Sequence, residues 1–361
     1  MYRIVSILTS IFFLVGPAAA GSAAAGSAAA GEEELEQRVR FTSADEVELV
    51  GHFSPAGPKA PCALLVHDLG SSSAKAGWKK LGAALNDKGF AVLRFDFRGH
   101  GESTAVAVEA FWSMPANRLL IKGRPRAQIQ FQDFDPAYYP VLVNDLAAAK
   151  AFLDRRNDAG ACNSANLVVV AAGKGAALAA LWLQAESHRH RLYPPMFAGQ
   201  QAHVDADSEV KNVLGAVWLS MHATLGSRHL NVPALLDTPG RQQRVPMAFV
   251  YGAGDTQGRK LAQTCVKSLQ RSGELPLTVA SEVPQAETAV AEELLSAAPE
   301  AVAAIVEYAQ ALHERYVREW EERDVRNALY VWRHPVTGRL FQARNAGEQV
   351  LSFQTYEMFL K

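Results

Sequence analysis

Cysteine is scarce in this chain: Cys62, Cys162 and Cys265 are the three in 361 residues. No two of them stand at metal-ligand spacing, which excludes a zinc finger or ribbon. An excess of one charge is also missing. Lys and Arg number 36 against 37 Asp and Glu, a net charge of −1. That balance gives no support to a nucleic-acid partner or a polybasic membrane contact. Past the N-terminus no apolar run approaches the ~20 residues that span a bilayer. Histidine is absent between His229 and His313.

What is present begins with an export signal. Arg3 forms a short basic region, Ile4 to Gly16 an apolar one, and Pro17-Ala18-Ala19-Ala20 an A-x-A cleavage site. The expectation is a signal peptide over residues 1–20 and a secreted or periplasmic protein with no membrane span after cleavage. Residues 21–33, a repeat of Gly, Ser and Ala ending in two glutamates, read as a flexible lead-in. They offer further cleavage sites at Ala25 and Ala30.

Short β-branched runs alternate with helical stretches from Gln37 to Ala311, the pattern of an α/β domain. Strands are expected at Ala63–His67, Ala91–Phe97, Leu167–Ala172, Val213–Ser220, Met247–Tyr251 and Leu277–Glu282, behind an opening hairpin over Gln37–Ser54. Helices are expected at Trp78–Lys88, Pro140–Arg156, Gly175–Glu186 and Arg259–Arg271, with a long helical stretch from Thr288 to Arg323. Two insertions interrupt the alternation, at 104–139 and at 187–211, the second a polar surface loop. Ala328–Asn345 reads as a hairpin turning at Val336-Thr337-Gly338.

Several motifs stand in order along this pattern. Val168-Val169-Val170-Ala171-Ala172-Gly173-Lys174-Gly175 reads as strand, sharp turn and helix. His67-Asp68-Leu69-Gly70 follows the first buried strand. Asp96-Phe97-Arg98-Gly99-His100-Gly101-Glu102-Ser103 follows the next, and Gly252-Ala253-Gly254-Asp255 a later one. Together they resemble the α/β-hydrolase superfamily, in particular its exported bacterial members, over roughly Gln37 to Ala311. The resemblance implies a mostly parallel central sheet with helices on both faces, here spanning residues 34–326; beyond it, residues 327–361 read as a small C-terminal β-hairpin appendage. It also makes the strands after Cys62 and Cys162 neighbours. An exported protein can join those two cysteines in a disulfide; three separate buried thiols are the other reading.

The family's catalytic triad is checked member by member. The nucleophile of G-x-S-x-G falls on Gly173, which has no attacking group. The acid falls on Asp255. The histidine belongs near Val283–Thr288, where there is none. Losing either the serine or the histidine removes ~10⁶ in turnover. Asp255, with no imidazole to orient, suits a helix cap. The oxyanion-type turn maps to Leu69, although Asp68 replaces the motif's glycine, and to Lys174 after the elbow.

Pocket candidates are His67, Phe111, Trp112 and His222. The aromatics of the first insertion, with Arg118 and Arg126, suit either the wall of a pocket or a packed cover. Ser71, Ser72, Ser73 and Ser220 are possible displaced nucleophiles, or plain turn and strand-end serines. His188, His190, His203, Asp205 and Asp207 cluster without the spacing of a metal site, so no metal or other cofactor is expected.

Two functions of different class follow. One is a catalytically inactive pseudo-hydrolase that binds a small molecule or an envelope protein. The other is a serine-type ester or peptide hydrolase with a displaced nucleophile. A third, a purely structural envelope protein assembled through its C-terminal hairpin, is separated from both by deleting Asn327–Lys361.

Overall fold

The strands Ala63–His67 and Leu167–Ala172 are apolar at every position but the last of the first, so they can only be buried on both faces. A computed structural model of the chain places them side by side at the middle of an eight-stranded sheet. It describes residues 36–345 apart from 44, 196–198, 200, 274 and 326. The expected signal peptide and flexible lead-in lie outside the described residues.

In chain order the elements are β1 (Gln37–Thr42), β2 (Glu48–Ser54), β3 (Pro61–Val66), α1 (Ala76–Asp87) and β4 (Ala91–Phe95). The first insertion supplies two short helices, α2 (Val108–Ser113) and α3 (Pro115–Leu120). Then come α4 (Val143–Asp158), β5 (Asn163–Ala172) and α5 (Gly173–Glu186). The chain continues through β6 (Arg189–Tyr193), β7 (His203–Ser208), β8 (Val213–Leu219), β9 (Thr224–Leu225), β10 (Arg228–His229) and α6 (Val232–Leu235). It ends with β11 (Met247–Gly252), α7 (Thr256–Leu269), β12 (Val279–Val283), α8 (Leu294–Ala297), α9 (Pro299–Tyr316), β13 (Leu329–Arg333) and β14 (Leu340–Asn345).

The large sheet runs β1-β2-β4-β3-β5-β8-β11-β12. It is antiparallel at β1, β2 and β4 and parallel from β4 onward. Side chains of β5 alternate between two cores: Val169 and Ala171 face α4 and α5, while Val168, Val170 and Ala172 face α1 and α9. Because β3, β5 and β8 run parallel, their carboxyl ends lie along one edge of the sheet, the edge at which open α/β sheets bind ligands.

Three elements depart from the sequence reading. The expected helix over 288–323 is broken into α8 and α9, since Pro299 starts a fresh first turn, and the chain leaves the helix after Tyr316. The helix expected from Pro140 starts at Val143, after a 3₁₀ segment, Pro136–Leu142, that contains that proline. The second insertion is no loop. It forms β6 and β7, which join β13 and β14 in a separate antiparallel sheet ordered β14-β13-β6-β7. The second insertion and the C-terminal hairpin thus build one structure. A charged pair packs beside the buried Tyr330 and Trp332 of this sheet: buried Arg189 pairs with Glu186 at 2.5 Å and stacks over Tyr330 at 4.3 Å.

The first insertion is a packed cover. Phe111 and Trp112 are buried within it, ring centroids 5.1 Å apart, and the Trp112 indole donates to the Arg126 carbonyl at 2.8 Å. Tyr138 donates to Asn117 at 2.7 Å and accepts from Arg98 at 3.1 Å. Arg98, fully buried, is held between Asp145 and Asp45 at 2.7 and 2.8 Å, which ties the cover to the sheet. No helix among the described residues is long and apolar enough to cross a membrane.

Candidate functional site

The tight turn from β5 into α5 requires glycine twice. Gly173 has φ +54°, in the left-handed region that residues with a Cβ avoid. Gly175 lets the helix press against β3, since a Cβ there would collide with the His67 carbonyl. The strand–turn–helix elbow is therefore present in full, with no side chain at its apex.

The space at that apex is filled from the turn after β3. A Cβ built on Gly173 would lie 2.5 Å from both carboxylate oxygens of Asp68. The Oδ1 atom of Asp68 accepts the amide of Lys174 at 2.7 Å and that of Leu69 at 2.8 Å. Two backbone donors from different elements thus converge on one anionic oxygen, the arrangement that holds an oxyanion in acyl transfer. Burial pushes the Asp68 carboxyl above its ordinary value. The Lys174 amide and the nearby His222 pull it back, and Glu292 adds to the rise. The His222 amide donates to the Gly173 carbonyl at 3.1 Å, which brings the residues after β8 to the same elbow.

Glu292, from the segment after β12, is the residue that sequence reasoning missed. It is buried and accepts from the Asp68 amide at 2.8 Å, Lys75 at 2.8 Å, the Trp78 indole at 3.3 Å and the Ser71 hydroxyl. Burial works against its charge, but the Asp68 amide, Lys75 and Ser71 hold its carboxyl below the usual range. The loop that carries histidine in the family's pattern thus delivers a carboxylate to the base of the Asp68 turn. A buried glutamate in an alanine-rich stretch leaves no local motif by which to find it.

The remaining sequence candidates have these places. His67 is buried; its Nδ1 donates to the Asp68 carbonyl at 2.7 Å and its Nε2 accepts the Phe97 amide at 3.1 Å. Those partners fix one neutral tautomer, and burial pushes its pKa down. His100 does the same between the Arg98 carbonyl and the Gly70 amide, both at 2.9 Å, with its pKa pushed down to about 3, chiefly by burial. Asp255 caps α7, accepting the Gly258 amide at 2.8 Å. Ser72 and the Ser73 amide bond Asp96 at 3.1 and 2.7 Å. Ser220 follows β8 directly at φ +41°, its hydroxyl buried and without a hydrogen-bond partner among the described residues. Among the described residues no group of three His, Cys, Asp or Glu is placed to hold a metal. The structure therefore brings Leu69, Lys174, Gly173 and His222 together around the elbow, while Phe111 and Trp112 pack within the cover and Asp255 caps α7.

No protein-family model matches the sequence, and no curated protein matches it. Solved structures do. An esterase of Pyrococcus furiosus matches in two crystal forms, at TM-scores of 0.51 and 0.52 and 15% and 16% identity. Each match covers 82% of this chain, and 95% and 96% of the esterase. A dienelactone hydrolase of Anabaena variabilis is similar at TM-score 0.49 and 17% identity, over 79% of this chain and 100% of that one. With the strand order and the elbow, the esterase likeness shows that the chain has the α/β-hydrolase fold.

Proposed function

We propose that the chain is an exported α/β-hydrolase-fold protein that carries out no serine-hydrolase turnover and acts by binding a small molecule or an envelope protein. The observation that carries this reading is the elbow itself: Gly173 offers no nucleophile, and Asp68 stands where a nucleophile's side chain would. A triad works as a unit, and its loss removes ~10⁶ in rate. The fold similarity to esterases supports the architecture and leaves the chemistry to these residues. Export rests on the three-part N-terminus.

One observation favours the alternative of a displaced nucleophile: the Ser71 hydroxyl donates to Glu292 at the base of the Asp68 turn. Against it, Glu292 is held ionised by its donors and is a poor base at neutral pH. The test is hydrolysis of short-chain aryl esters by the purified mature protein. The expected rate equals that of buffer. Saturable turnover lost on Ser71→Ala would overturn the reading in favour of a hydrolase. Intact mass of the protein recovered outside the cytoplasm tests export, with loss of residues 1–20, or the cut shifted to Ala25 or Ala30, as the expected result.

A further inference from the structure

The even charge balance of the whole chain hides one uneven stretch. Residues 104–132 hold Arg118, Lys122, Arg124 and Arg126 against Glu109 alone, in a protein of 36 bases and 37 acids. Arg126 pairs with Asp133. Arg118, Lys122 and Arg124 are exposed and have no carboxylate partner among the described residues.

Helix α3 lies within this stretch and is apolar on two sides. Inward, Leu120 packs on the core and Ile121 just beyond the helix is buried. The buried Asn117 is satisfied there, donating to the Phe111 carbonyl at 2.8 Å and accepting from Tyr138 at 2.7 Å. Outward, Leu119 is 80% exposed, and Met114 and Pro115 are exposed with it. Pro115 and Leu119 stand at i and i+4, so they share one face of the helix. A helix apolar on both sides belongs between two apolar phases, and the core supplies one of them.

We propose that this face of the cover docks on an anionic phospholipid bilayer, with Leu119 and Met114 below the headgroups and Arg118, Lys122 and Arg124 at their phosphates. Charge complementarity selects that surface, because the three cations flank the apolar residues with no acid among them. Size selects it too. Three apolar side chains fall far short of the ~20–30 residues a side of a stable protein interface. An interfacial helix needs only an apolar face that dips into the headgroup boundary beside cations. Arg and Lys suit the rim, since their stems lie along apolar surface while their heads stay in water.

The inference goes beyond the silent-elbow reading, and ester turnover of either outcome does not bear on it. The test is cosedimentation of the protein from Gly21 onward, which removes the apolar run of the expected signal. The vesicles are equal parts phosphatidylglycerol and phosphatidylcholine, or phosphatidylcholine alone. Binding is expected to the anionic vesicles only, and to fade between about 0.1 and 1 M salt as the screening length shrinks from about 10 to about 3 Å. Leu119→Asp is expected to weaken partitioning about tenfold or more. Lys122→Gln with Arg124→Gln is expected to weaken it about thirtyfold, roughly fivefold for each cation. All these positions are exposed, and melting temperatures equal to wild type check that the variants fold. No binding to anionic vesicles, or partitioning unchanged in either variant, overturns the proposal. Self-association abolished by Leu119→Asp, in a protein that ignores vesicles, overturns it in favour of a second copy as the occupant.

Discussion

The Asp68 carboxylate bonds the Lys174 amide at 2.7 Å, across the apex of an elbow whose residue 173 has no side chain. Each of these two residues explains the other, and the coupling can be measured as energy. Gly173→Ser places a side chain at φ +54° and onto Asp68. Strain and overpacking together are expected to cost about 2–4 kcal/mol. In an Asp68→Gly background only the strain remains, about 1–3 kcal/mol. Denaturant unfolding of the four proteins closes the cycle, and additive losses would show that the residues do not compete.

The ionisation of Asp68 also sets a pH dependence. Its carboxyl is raised by burial, so its contribution to stability is fully present below the unfolded value of 3.8 and is lost as pH rises through the folded value. Asp68→Asn keeps an acceptor oxygen and removes the charge. The melting temperature of Asp68→Asn relative to wild type is therefore expected to climb between pH 3.5 and neutrality. A difference that is flat or falls over that window contradicts the assignment.

Glu292 behaves in the opposite sense, its lowered pKa stabilising the protein above the unfolded 4.5. It closes a network of four donors from the turn after β3 and the start of α1. Glu292→Ala leaves the Asp68 amide and the Trp78 indole without their acceptor, at an expected cost of about 2–4 kcal/mol at neutral pH. The loss shrinks as the solution is acidified, which unfolding curves at two pH values can read.

Cys62 and Cys162 are both buried free thiols in the same core. Burial raises the Cys62 thiol, and contact with the Cys162 thiol adds to it. Material from an oxidising compartment, where a disulfide oxidant takes up the two electrons and two protons, is expected to weigh two hydrogens less than its reduced form. Only Cys265 should then react with a thiol reagent in denaturant. Closing a loop of about 100 residues would stabilise the fold by about 4.7 kcal/mol on the chain-entropy argument. Three reactive thiols would show that the pair stays reduced.

Much of the fold was legible because its signals are local. The buried strands are continuous apolar runs, and the glycines at 173 and 175 mark a turn that few other residues tolerate. The strands β6 and β7 were not legible, since Arg189 and His190 occupy the buried end of β6 and Ser208 that of β7, and no apolar alternation betrays them. At the site, both departures from the family's pattern can be read in the sequence. Their contact cannot, because it joins the turn after β3 to the turn after β5 through a side chain. Glu292 escaped for the same reason: its importance comes from four donors brought by other parts of the chain.

The central claim is that no side chain around this elbow is an activated nucleophile. Intact-mass analysis of the mature protein after exposure to a fluorophosphonate probe tests it most directly, with a denatured sample as control. The account predicts no adduct on the folded protein. An adduct formed by the folded protein alone and mapped to one serine, Ser71 or Ser220 above all, would contradict it and place the chain among working hydrolases.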